Sequence, residues 1–171
     1  MVFKIAANGA LGIPDLSPLV VDDTARCAIG TRAKGYDDVL GEGEFIYLPG
    51  AANVAEGDFV AYDLTPGAPS VTRSLAATHA NKGWPLAVAA AALGAATYGW
   101  YQVTGIVAAN VAAGYAAGAV VMLTATAGTV DDAAVAGAQV LGAKGLTAIA
   151  TPAAGKAYVQ IAHPHVQGQI T

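Results

Sequence analysis

From Gly43 onward, apolar and polar residues alternate with a period of two, and glycine and proline interrupt the alternation repeatedly. In residues 43–50 (GEFIYLPG), Phe45 and Tyr47 fall on one face and Ile46 and Leu48 on the other, with Pro49 and Gly50 ending the strand. Residues 54–71 (VAEGDFVAYDLTPGAPSV) read as strand, turn and strand. Phe59, Ala61 and Asp63 face one way, Val60, Tyr62 and Leu64 the other, and Pro66, Gly67 and Pro69 supply the turn. Residues 86–107 predict a hairpin, with strands 86–93 and 98–107 around a turn at 94–97. Alanine favours helix over 86–92, but Pro85 and Gly94 leave a run too short for a stable one. Two further strands are expected at 140–148 and 157–162.

The pattern repeats. Residues 115–130 (YAAGAVVMLTATAGTV) are a degraded copy of 54–71: Gly57 aligns with Gly118, Val60 with Val121, and Val71 falls near Val130. The copy has Ala117 and Ala119 where the first unit has Glu56 and Asp58, which makes those acids turn residues. YGWYQVTG and GKAYVQIA also correspond, each placing Gln102 or Gln160 beside an apolar β-former. These features predict an all-β fold, a small β-barrel or β-sandwich built from two tandem β units, with a pseudo-repeat over about 54–107 and 115–162.

That body spans 41–171. Residues 1–40 differ: Gly9, Gly12, Pro14 and Pro18 break any regular pattern, and Phe3, Ile5, Leu11, Ile13, Leu16 and Leu19 stand as isolated apolar residues between the breakers. One reading is a loose surface segment. The other is an extended N-terminal arm whose apolar residues dock on a neighbouring subunit, since a solvated tail has no need of so many. Short strands at 20–21 and 26–29 are expected inside it, and Arg26, Arg32 and Lys34 are its candidate contacts to an acidic surface.

Composition narrows the function classes. The chain is 55% hydrophobic, mostly through alanine, and only 12% charged, about half the usual share for a globular domain. Such a surface is expected to bury part of itself against other subunits. A net charge of -4 argues against nucleic acid as a direct partner. The alanine-rich stretch 86–107 is broken by Gly94, Gly99, Gln102 and Gly105, so no membrane span is expected. Interruption of the early apolar run by Asn8, Gly9 and Pro14 argues against a cleaved leader. Cys27 is alone, which suits a reducing compartment and a small buried side chain.

Signatures of catalysis are not found: no Gly-rich phosphate loop with lysine, no dinucleotide fingerprint and no nucleophile elbow. His163 and His165 form an H-x-H pair, but no third ligand lies near them, and they read as part of a polar terminus. His79 reads as a loop residue. The acid pairs Asp22–Asp23, Asp37–Asp38 and Asp131–Asp132 fit turns better than acid–base dyads, because adjacent strand residues point to opposite faces. Trp84, Trp100 and Tyr101 fit a core better than a ligand platform. No catalytic residue, cofactor or metal is therefore expected.

The phrases GEFIYL, GWYQV and TATAGTVDD, within the longer stretches beginning at Gly30 and Gly99, resemble structural proteins of tailed bacteriophages, above all the small capsid decoration or cement proteins. The similarity covers most of the chain from about Gly30 onward. It implies a barrel-like body that binds the outside of an expanded capsid, contacts the major capsid protein, and sits as a homotrimer on the virion after synthesis in the host cytoplasm. The arm residues Phe3, Ile5, Leu11, Ile13, Leu16, Leu19, Arg26, Arg32 and Lys34 are the interface candidates. A tail or host-binding spike component is the nearest alternative. A small ligand-binding or hydrolytic β-barrel is the alternative of another class.

Overall fold

The computed structural model of the chain describes residues 4–5 and 21–169. Among them the elements run β1 (Lys4–Ile5), β2 (Arg32–Asp37), β3 (Gly41–Pro49), β4 (Phe59–Asp63), β5 (Ser70–Arg73), α1 (Ala76–His79), β6 (Leu86–Ala89), β7 (Tyr98–Asn110), β8 (Met122–Leu123), β9 (Val130–Asp131), β10 (Val140–Gly145) and β11 (Lys156–Val166). The fold is mostly β and contains two sheets. The larger follows the order β1-β2-β3-β7-β6-β4-β5, with β11 joining β7 to β10; the smaller is the hairpin β8–β9.

The alternation expected in the sequence decides which side chains meet. Phe59 and Ala61 enter one apolar cluster, with Val107, Val121, Leu123, Val159 and Ile161. Their neighbours Val60 and Tyr62 enter a second, with Ile46, Leu48, Tyr101 and Val103. Both faces of β4 are therefore covered, and so are both faces of β6. In β3, Ile46 and Leu48 belong to the second cluster, while Phe45 and Tyr47 pack with Trp100 in a third. Each fully buried large side chain of this kind contributes roughly 1.5–3 kcal/mol of transfer free energy.

Strand β7 is the hub. It pairs with β3, β6 and β11. Thr104 has partners on both sides, Glu44 and Ala162. At Gly105 the backbone turns left-handed (φ +99°), and β7 passes from the second cluster to the first. An added Cβ there would lie 2.5 Å from the Glu42 carbonyl oxygen, so only glycine fits. Buried Gln102 stitches the bend, its Nε2 donating to the carbonyls of Thr104 (2.9 Å) and Ile106 (3.0 Å).

The two repeated units follow the same order of pairing. Tyr62 opposes Val71 across β4–β5, and Leu123 opposes Val130 across β8–β9. Ala61 pairs with Leu86 at the start of β6, and Met122 bridges to Gln139 just before β10. The final strands β7 and β11 then join antiparallel.

Several local expectations change. The segment 86–93 is a strand only over β6, and Leu93 makes a single bridge to Val54. No strand forms at 26–29; Asp22 makes one bridge, to Tyr98. Residues 32–37, placed by their sequence in the arm, are a full strand of the main sheet, because Ala33 and Gly35 alternate inward against β3. His163 and His165 lie within β11 rather than in a tail. Asp131 is in β9 rather than in a turn, and among the described residues the one helix, α1, lies in a segment without periodic signal.

Candidate functional site

Four groups of polar or exposed side chains stand out, and they divide into an edge that faces outward and three clusters turned inward. The outward one is the hairpin β2–β3 with β1 added to it. Lys4 pairs with Tyr36 and Ile5 with Gly35 in antiparallel register. Arg32 and Lys34 project from the same strand, opposite Ile46 and Glu44. Arg32 Nη1 lies 3.4 Å from Glu44 Oε1, and Glu44 Oε2 lies 3.8 Å from His163 Nε2 on β11. Lys34, Glu42, Gly43, Glu44 and Thr104 line a shallow cleft of about 110 Å³. At the hairpin tip Asp37 Oδ1 accepts from the backbone N–H groups of Val39 (2.8 Å) and Leu40 (3.0 Å). That turn leaves Val39 84% exposed, with Tyr36 40% exposed beside the pairing to β1.

The second group fixes the point where the N-terminal segment meets the body. Asp22 exchanges two main-chain hydrogen bonds with Tyr98 (2.9 and 2.8 Å). Its buried carboxylate accepts from the Tyr47 hydroxyl (2.8 Å) and pairs with Arg26 Nε at 2.5 Å. Burial, chiefly, and then the Asp22 carboxylate push the Tyr47 phenol up to about 12, so it stays a donor. Tyr98 stacks on Tyr47, and Trp100 meets it edge-on.

The third centres on Asp58, which is 1% exposed. Oδ2 accepts from the Ala55 backbone N–H (2.9 Å) and from Arg73 Nε (2.7 Å); Oδ1 accepts from Asn110 Nδ2 (2.8 Å). Asn110 also donates to the Glu56 carbonyl, and Lys156 Nζ reaches Glu56 Oε1 at 3.1 Å. This cluster ties β4, β5, β7 and β11 together. Its carboxylate, amide and guanidinium are all engaged with one another or with backbone.

The fourth is His79 on α1. Nδ1 lies 3.1 Å from the Leu75 backbone nitrogen and 3.2 Å from the Leu75 carbonyl oxygen, and Nε2 lies 3.3 Å from Thr72 Oγ1, so the tautomer sets which ring nitrogen donates. The Trp84 ring meets it edge-on at 5.9 Å. Burial holds its pKa below the ordinary imidazole value. His79 is thus a buried structural residue and not a loop residue.

The expected interface residues separate. Arg32 and Lys34 come together on β2, beside the β1 backbone that includes Ile5. Arg26 lies apart from them, at the Asp22 cluster. Arg26 and Arg32 each face a carboxylate of their own chain, Asp22 and Glu44. Phe3, Leu11, Ile13, Leu16 and Leu19 lie outside the described residues. Among the described residues no group of three or more metal-ligating side chains gathers, and no helix is long and apolar enough to cross a membrane. Sequence reasoning took Asp22 and Asp58 for turn residues and passed over Val39. The only available signal was the Asp37-to-Val39 spacing of an Asx turn.

Compared with known proteins, the chain matches no family model, no curated protein sequence and no solved structure.

Proposed function

We propose that this chain is a structural protein of a tailed-bacteriophage virion, which decorates the capsid exterior and stabilises it by binding the lattice of the major capsid protein as a homotrimer. The observation that carries this reading is the β1–β2–β3 edge. It collects an added N-terminal strand, two cations, a half-exposed tyrosine and an exposed valine on one rigid hairpin. The inward polar clusters support the same reading, since their side chains bond to their own backbone and to each other. Low charge and the sequence resemblance support it further. For the body we favour the closed or stacked form of a small barrel or sandwich, supported by the apolar clusters on both faces of β4 and β6. Its physics is multivalency: contacts that are individually modest hold firmly when arm and body engage together, or when three copies act at once.

The test is binding to expanded phage heads stripped of decoration protein. The full chain should co-sediment with heads. A variant lacking residues 1–20, and the substitution Val39→Asp, should fold and stay largely in the supernatant. Equal occupancy by all three would remove the edge and arm from the account. No binding by the full chain would remove the capsid reading.

A further inference from the structure

We propose that residues 22–29 form a strap that opens as a unit from an aromatic face on β3 and β7, with Asp22 as its latch. The face consists of Tyr47, Tyr98 and Trp100. Tyr98 stacks on Tyr47 with ring centroids 6.4 Å apart, and Trp100 meets Tyr47 edge-on at 5.2 Å. Tyr47 and Trp100 are buried, and Cys27 and Ile29 of the strap pack on their cluster. The strap itself is mostly exposed to solvent, and Asp22 is its one buried residue.

The fastenings converge on two side chains. Asp22 exchanges main-chain hydrogen bonds with Tyr98 (2.9 and 2.8 Å), and its Oδ2 accepts from the Tyr47 hydroxyl at 2.8 Å. The same hydroxyl accepts from the Arg26 backbone N–H at 3.3 Å. Beyond the strap, Gly30 donates to the Tyr47 carbonyl and Tyr47 donates to the Thr31 carbonyl, so the chain is held to β3 just before β2 begins. The latch is incompletely satisfied. Asp22 Oδ1 is buried without a hydrogen bond; Arg26 Nε lies 2.5 Å from it but out of line for one, on a side chain 52% exposed. A buried carboxylate oxygen short of donors favours a state in which water reaches it. The two larger apolar clusters take only Ile29 from the strap, and there as a partly buried neighbour. Opening therefore leaves the core of the body in place and bares Tyr47, Tyr98 and Trp100. A segment with few buried contacts, tied at two ends, is the kind that opens locally. The strap thus couples the position of Asp22 to exposure of an aromatic face, wherever the chain assembles.

The test uses the full chain with its single cysteine, Cys27, as reporter. The thiol is reacted with a chromogenic aromatic disulfide at rising urea below the unfolding transition, in the native sequence and in Asp22→Ala and Tyr47→Phe. Strap opening exposes little surface, so labelling should be nearly independent of urea, whereas global unfolding would impose its full urea slope. Both variants remove the bond between Asp22 and Tyr47. Each should speed labelling roughly tenfold, as loss of a hydrogen bond to a carboxylate implies, with the slope still flat. Exchange of the Tyr98 amide, which donates to Asp22, should accelerate in parallel. A full urea slope in the native sequence, or labelling in the variants no faster than in the native chain, would overturn the strap. If Asp22→Ala fails to fold, Tyr47→Phe alone decides. Neither readout involves phage heads, so loss of the capsid reading would leave the strap standing.

Discussion

Asp58 is a carboxylate almost without solvent, held by Ala55, Arg73 and Asn110. Removing it leaves the half-buried Arg73 and the Asn110 amide without their acceptor, at roughly 1–3 kcal/mol. Asp58→Ala should lower unfolding free energy by about that amount in urea titration, and a loss under 1 kcal/mol would contradict the hub. Gly105→Ala should also lower the melting temperature, because its left-handed backbone and the Glu42 carbonyl leave no room for a methyl group. His79 gives a pH dependence. Its folded pKa is lowered, so the unfolded chain binds the proton more readily. Stability should be complete above the ordinary imidazole value of about 6.5 and fall as pH drops below it towards the folded pKa. His79→Gln should flatten that slope in melts across this range. None of these roles was legible in the sequence. Asp58 has Ala119 as its counterpart in the repeat and so reads as dispensable; its burial depends on Asn110, 52 positions away.

At the scale of elements, alternation was legible wherever a strand is covered on both faces by side chains of its own sequence pattern. Phe45 and Tyr47 against Ile46 and Leu48, and Phe59 and Ala61 against Val60 and Tyr62, separate into clusters as their parity requires. The turn at 64–69 and its echo at 124–129, equal in length, both fall between paired strands. The role of β2 was not legible, because Arg32 and Lys34 give it the look of a solvated arm while only Ala33 and Gly35 carry its inward face. Strand β11 runs on through His163 and Pro164, past the point where apolar alternation ends. The pairing of β7 on both edges predicts an order of opening. Hydrogen exchange should be slowest at the β7 amides around Tyr101 and Val103 and fastest at β1 and at the β8–β9 hairpin. Protection of β1 equal to that of β7 in dilute protein would contradict it.

The whole molecule joins a β body, an attachment of Asp22 to Tyr98, and an outward hairpin that pairs with β1 at Tyr36 and exposes Val39 at its tip. Composition already suggested a surface made to be covered, since so few charges leave much of it apolar. The exposure of Val39 needed the fold, because the Asp37 turn places it. The central claim is location on a virion. The most direct measurement of that proposed location is a cryo-electron reconstruction of tailed-phage particles assembled in cells that express this chain. The account predicts density for the β body on the outer face of the expanded head, with the β2–β3 edge turned towards a neighbouring subunit. Density confined to the tail, or particles without the chain, would contradict it.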